Sequence, residues 1–171
     1  MIEIKGNLFN EPCDAFCITT NGFVKKNGEC VMGRGCAKQA ANRWPQQLPK
    51  LIGQNINEYG NRVLAALYLS DGRHLLTFPV KPVSVIFNGN NCVKHMMNKF
   101  NVGDVVPGWA AVADIELIKM SATQLVTITD AFGWNKVVLP RPGCGAGELS
   151  WTEVKHELDK ILDNRFYSIT F

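Results

Sequence analysis

The sequence predicts an α/β fold, a mixed sheet with helices on its faces. Three observations predict it. Segments of strand length, compact and apolar or alternating, are interleaved with segments of helical period. Two glycine-rich stretches each follow a short apolar run and precede a helical one. No repeat and no linker divides the 171 residues, so 1–171 reads as one domain, long enough to bury a core.

The elements follow in order. Residues 2–5 (Ile-Glu-Ile-Lys) alternate apolar and polar, a short strand stopped by Gly6-Asn7. Residues 15–20 form an apolar, β-branched run, as a buried strand does. Residues 21–35 hold Gly22, Gly28, Gly33 and Gly35 and read as a loop. Residues 36–43 carry Ala37, Ala40 and Ala41 and read as a helix that Trp44-Pro45 ends; 48–59 is a second helix closed by Gly60. Residues 63–69 and 74–78 flank Ser70-Asp71-Gly72-Arg73, a β-hairpin signal. Pro79 and Pro82 break regularity, and 83–87 reads as another strand. Residues 88–108 are poorly patterned and read as an insertion or mobile segment, with a helical turn or two over 93–100. Apolar residues at 112, 115, 118, 122, 125 and 128 give one helical stripe, so 109–132 reads as a helix. A strand at 136–139 ends at Pro140, and Pro142 to Gly147 is the second glycine-rich loop. A helix over 150–162 opens with Ser150 and Glu153, the spacing of a capping box, and 166–171 is the last strand.

Composition excludes several function classes. An apolar fraction of 46% excludes disorder. The net charge of +3, from 18 Lys and Arg against 15 Asp and Glu, does not by itself mark a nucleic-acid binder. Cysteines at 13, 17, 30, 36, 92 and 144 form no CxxC pair, and His74, His95 and His156 lie near no close cysteine pair, so no metal site is expected. The opening Met-Ile-Glu-Ile-Lys is charged where a signal peptide is apolar, and no apolar run is of membrane-span length. A cytoplasmic protein with reduced thiols and no membrane partner is the expectation, with three disulfides as the alternative.

In an open α/β sheet, loops that follow strands and precede helices sit where ligands bind. Glycine lets backbone N–H groups approach an anion, and the helix N-terminus behind adds partial positive charge. Neither loop carries the Gly-Lys-Ser/Thr phosphate-loop ending or GxGxxG. Two such loops together suit a pyrophosphate; as turns alone they would carry no function.

Five motifs fall in a recognisable order: Lys5-Gly6-Asn7-Leu8, Thr20-Asn21, Val31-Met32-Gly33-Arg34-Gly35-Cys36-Ala37, Phe78-Pro79-Val80-Lys81, and Pro140-Arg141-Pro142-Gly143-Cys144-Gly145 followed by Leu149-Ser150-Trp151. The pattern resembles macrodomains, ADP-ribose-binding modules, over nearly the whole chain. It is most similar to the branch of the animal terminal ADP-ribose protein glycohydrolase and the bacterial DNA ADP-ribosyl glycohydrolase antitoxin. The resemblance implies a three-layer α/β/α sandwich whose cleft holds ADP-ribose. It implies ligand contacts from Asn7 and Leu8 at the adenine, where many relatives carry Asp in place of Asn7. Asn21 would lie against the distal ribose. Met32, Gly33, Arg34, Gly35 and Cys36 would form the first loop, and Pro142, Gly143, Cys144, Gly145, Ala146 and Gly147 the second.

The same resemblance implies catalysis. Lys81 stands where the related hydrolases carry a reactive lysine, expected after a strand in a short FPxK turn. Attack on the ribose needs a neutral amine, hence burial or a neighbouring cation such as Arg34. Asn21 would orient the sugar. The animal enzyme's second-loop Asp is replaced by Gly147, so Glu148 or water is the candidate acid or base. The reading is an ADP-ribosyl hydrolase acting on modified DNA, protein or a small conjugate, with no metal and no cofactor. The alternatives are a binding module without turnover and an ADP-ribose 1''-phosphate phosphatase. Lys25-Lys26 reads as a solvated charge pair or a contact to the modified macromolecule. Cys36 and Cys144 read as packing residues or reactive thiols near helix N-termini. Trp109, Trp134 and Trp151 read as core residues rather than adenine platforms, and the three histidines stay unassigned.

Overall fold

The computed structural model describes residues 1–171. Eight strands and four α-helices run β1 (Ile2–Lys5), β2 (Ala15–Asn21), α1 (Gly35–Arg43), α2 (Leu48–Tyr59), β3 (Ala65–Tyr68), β4 (His74–Lys81), β5 (Ser84–Ile86), β6 (Val105–Pro107), α3 (Ile115–Phe132), β7 (Val137–Leu139), α4 (Trp151–Leu158) and β8 (Phe166–Thr170). Six strands make one mixed sheet in the order β1-β8-β7-β2-β4-β3. All neighbours are parallel except the antiparallel hairpin pair β3–β4.

The strand period of two divides the core. On β2, Ala15 and Cys17 face one helical layer while Phe16 and Ile18 face the other, all with no exposed surface. Val137 and Leu139 of β7 join the first side, and Val138 joins the second. The first side packs on Ile118, Ala122 and Leu125 of α3 and Val154 and Leu158 of α4. The second packs on Ala37 and Ala40 of α1 and Leu48 and Ile52 of α2. The result is the mixed sheet with helices on both faces that the sequence predicts, in the three-layer α/β/α form that the resemblance implies.

Several boundaries differ from expectation for identifiable reasons. β4 does not stop at Phe78 but continues through Pro79 to Lys81. The Thr77 N–H bonds to the Leu64 carbonyl on the β3 side, and Pro79, two residues on, faces the same side beyond the last β3 pair at Ala65–Leu76. The Pro79 nitrogen therefore faces no ladder partner, so the ring costs no sheet hydrogen bond. Lys81 accordingly ends a strand and does not sit in a turn. The helix expected over 109–132 starts at Ile115, because Asp114 caps it by accepting the N–H groups of Glu116 at 2.9 Å and Leu117 at 3.3 Å. Trp109 lies in a separate 3₁₀ turn, Gly108–Ala110. The helix expected over 150–162 ends at Leu158, and Ser150 makes no side-chain cap bond, so no capping box forms.

The segment 88–108, poorly patterned in sequence, carries regular elements. β5 and β6 pair as a two-stranded antiparallel ribbon outside the main sheet, joined through a 3₁₀ segment at Lys94–Lys99. Phe87, Cys92, Val106 and Ala110 form its own small core, with Met96 and Met97 packed against it. The ribbon stands over the carboxyl end of β4.

Candidate functional site

Five parallel strands end at one cleft. Gly6 after β1, Thr170 of β8, Pro140 after β7, Asn21 of β2 and Lys81 of β4 all line a cavity of about 630 Å³. Four inter-strand spacings separate β4 from β1, so the cleft runs about 19 Å along the sheet edge. That span accommodates an extended dinucleotide-sized ligand. The first loop and the start of α1 (Gly33, Arg34, Gly35, Cys36) form one side, and the second loop (Gly143, Gly145, Ala146, Gly147) another. The ribbon supplies a third wall with Val93, His95, Met96, Lys99 and Trp109.

The lining carries Arg34, Lys81, Lys99 and Arg141 and no Asp or Glu side chain. The N–H groups of Gly145, Ala146 and Gly147 donate to no protein acceptor. The site therefore offers cations and free backbone donors together, which suits a diphosphate. A modest +3 over the whole chain conceals this concentration at one edge.

Glycine is required in the second loop. A Cβ on Gly147 would stand 2.6 Å from Ala113 Cβ and closer still to the Gly143 carbonyl. Gly143 has φ +74°, and a Cβ there would lie 2.8 Å from Ile118 Cδ1. The backbone is thus pressed against the start of α3, and no side chain, carboxylate included, fits at 147.

Lys81 sits at the head of the cleft and is only 7% exposed. Its Nζ donates to the carbonyls of Ala146 at 2.8 Å and Trp109 at 3.3 Å. Its pKa is lowered from 10.5 to about 8, chiefly by burial, with Glu148 and Cys92 opposing and Arg34 adding to the lowering. A neutral amine uses two N–H bonds on those carbonyls and keeps its lone pair.

Solved structures bear on this arrangement. The macrodomain of Thermus aquaticus DarG superposes with a TM-score of 0.67 at 21% identity, covering 99% of this chain and 97% of that one. The Mycobacterium tuberculosis DarG macrodomain gives 0.67 at 17% identity over 99% and 97%. Thermosipho africanus DarTG, solved in complex with ADP-ribose, gives 0.67 at 15% identity over 98% of this chain and 41% of that one. The chain has the macrodomain fold. No family model and no curated protein sequence matches it.

Within the macrodomain cleft, the expected residues separate into two groups. Leu8, Asn21, Gly33, Arg34, Gly35, Cys36, Lys81, Gly143, Gly145, Ala146 and Gly147 line it. Asn7, Met32, Pro142, Cys144 and Glu148 do not. Asn7 Oδ1 is taken by the Phe9 N–H at 2.9 Å, an Asx turn that holds the β1 exit. Met32 packs in the α1–α2 layer. Cys144 Sγ donates to the Pro142 carbonyl at 3.3 Å, and burial pushes its thiol up to about 11. Burial raises the Cys36 thiol too, and that sulfur accepts the Thr19 N–H at 3.3 Å. Neither is an activated thiolate.

Asn21 is buried, and Nδ2 donates to the Val31 carbonyl at 2.8 Å while Oδ1 accepts the Phe23 N–H at 2.9 Å. It shapes the first loop from both ends. Glu148 Oε1 accepts the Lys94 N–H at 3.0 Å. It is the one non-glycine residue with positive φ, at 63°. Such a conformation costs on the order of 1 kcal/mol and is kept where surrounding contacts demand it. Here it anchors the ribbon to the second loop. Lys25 pairs with Glu29 at 2.7 Å in the solvated way expected of Lys25-Lys26.

The sequence reading missed the ribbon wall and the strand-end residues Thr19, Thr170 and Phe171. Trp109, assigned to the core, is 38% exposed and faces the cleft, whereas Trp134 is buried against Phe132 at 4.6 Å. No helix is long and apolar enough to cross a membrane.

Proposed function

We propose that this protein is an ADP-ribosyl hydrolase that removes ADP-ribose from a modified DNA, protein or small conjugate. The observation that carries the reading is Lys81, a buried lysine with a depressed pKa at the end of a macrodomain cleft. A lysine that only bound an anion would gain nothing from losing its charge near pH 8. A nucleophilic amine needs that loss.

In this reading the free N–H groups of the second loop and the N-terminus of α1 hold the diphosphate, and the distal ribose meets Lys81. Its amine bonds to the ribose anomeric carbon as the bond to the acceptor breaks, and water then releases the sugar. No metal or cofactor takes part. The phosphatase alternative is disfavoured because Glu148, its candidate acid, is held by the Lys94 N–H.

Thermal shift with ADP-ribose tests the ligand; absence of a shift at millimolar ligand would reject the site. Release of ADP-ribose from modified DNA and modified protein is then compared for wild type and Lys81→Ala. Turnover lost in the variant, with binding kept, supports the reading. Binding without turnover in wild type means a binding module instead.

A further inference from the structure

The proposed hydrolysis needs a proton for the departing group, and no Asp or Glu side chain lines the cleft to give it. The other basic side chains in the lining are Arg34, Arg141 and Lys99, and arginine and lysine are poor proton donors at neutral pH as residue types. The Cys36 thiol is raised by burial and already accepts the Thr19 N–H. Histidine is the residue type suited to proton transfer near neutrality, and His95 is the one histidine in the lining.

Its placement matches that task. Two hydrogen bonds fix the start of its segment: Val93 N–H to the Ala110 carbonyl at 2.9 Å, and Lys94 N–H to Glu148 Oε1 at 3.0 Å. Each anchor lies beside a carbonyl that holds the Lys81 amine. Trp109 immediately precedes Ala110, and Ala146 lies two residues before Glu148. The same two backbone stretches therefore grip Lys81 and set the position of His95. Met96 and Met97 pack into the ribbon's small core, while His95 stays exposed on the cleft side.

We propose that His95 is the general acid that protonates the group leaving the distal ribose. The proposal rests on the hydrolase reading above. As Lys81 Nζ bonds to the anomeric carbon, the bond from that carbon to the acceptor atom breaks. The acceptor atom keeps the electron pair and takes a proton from the His95 imidazolium. The imidazole, now neutral, accepts a proton from water as its oxygen attacks the anomeric carbon. The carbon–Nζ bond breaks with its electron pair on nitrogen, so neutral amine and imidazolium are both restored.

Two aryl ethers of ADP-ribose at the distal anomeric carbon test it. A 4-nitrophenyl group leaves without protonation; a 4-methoxyphenyl group of nearly the same shape needs it. In His95→Gln, the single-turnover rate of phenol release from the methoxyphenyl ether falls by about 100-fold or more, and that of nitrophenol release by less than about threefold, since this readout precedes the attack of water that both ethers share. A wall with a merely structural role would lower both alike. Equal losses, or no loss on either substrate, overturn the proposal. If wild type cleaves neither ether while ADP-ribose still raises its Tm, the hydrolase reading falls, and this assignment with it. Wild-type cleavage of both ethers with an unimpaired variant removes His95 alone.

Discussion

Lys81 Nζ donates to the Ala146 carbonyl at 2.8 Å, so the end of β4 is tied by its own side chain to the second glycine-rich loop. The same amine reaches the Trp109 carbonyl at the base of the ribbon. One buried nitrogen thus joins three separate parts of the chain. Two acceptors are enough for a neutral amine, but an ammonium at this position keeps one N–H that no protein group accepts.

Replacing Lys81 by Met should stabilise the ligand-free protein at pH 7. The folded state releases this proton near pH 8, whereas the unfolded chain holds it to 10.5. Below pH 8 both states are protonated, and the fold carries the full cost of the buried charge. That difference is worth about 3 kcal/mol, offset in part by two carbonyls losing their donor. Between pH 8 and 10.5 the unfolded state binds more protons, so wild-type stability rises with pH and the variant's advantage shrinks. Thermal midpoints across pH 7 to 10.5 check this; a variant less stable at pH 7, or a gap independent of pH, contradicts it.

The same proton governs rate. On the 4-nitrophenyl ether, whose departure needs no proton from His95, the rate of nitrophenol release should rise with pH through about 8 as the amine becomes neutral. Arg34 is one of the groups lowering that pKa, so Arg34→Gln should move the rising limb to higher pH. Single-turnover rates at saturating substrate separate this from weaker binding. A limb that moves down, or stays where it was, would show that Arg34 does not act on the amine.

Gly147→Ala should damage the second loop. Its Cβ would overlap the Gly143 carbonyl and approach Ala113 Cβ at 2.6 Å, both parts of the backbone packed on α3. Overpacking of this kind costs about 1–3 kcal/mol. Displacing the loop also shifts the free N–H groups of residues 145–147, so ADP-ribose affinity should fall with the Tm. Calorimetry of both quantities is the measurement, and an unchanged affinity would show that the loop does not hold the ligand.

Legibility followed local pattern. The unbroken apolar run at Ala15–Ile18 announced a strand buried on both faces, and Asp71-Gly72 announced the hairpin because both are signals within a few residues. The glycines at 33, 35, 143, 145 and 147 marked both loops for the same reason. The ribbon was illegible because its core joins Phe87, Cys92, Val106 and Ala110, residues with no common period. Asp114 was passed over as a helix cap because the apolar stripe continues upstream of it, through Val112. In the site, the partners of Lys81 are backbone carbonyls, which no residue type advertises. Thr170 and Phe171 reach the cleft only through the sheet order, which brings the last strand between β1 and β7.

Glu148 separates two roles a carboxylate can have beside a reactive lysine. Its Oε1 accepts the Lys94 N–H, an interaction an amide oxygen reproduces. Glu148→Gln should therefore keep the ribbon in place and turnover close to wild type. The lost negative charge removes an influence that raises the Lys81 pKa, so the rising limb should move to lower pH. Glu148→Ala has no acceptor; the segment carrying His95 loses one of its two anchors, and kcat should fall while the Tm changes little. A general acid or base would give the opposite pattern, with Gln and Ala both costing about 100-fold or more. Steady-state kinetics of the two variants over pH decide between the anchor and the acid.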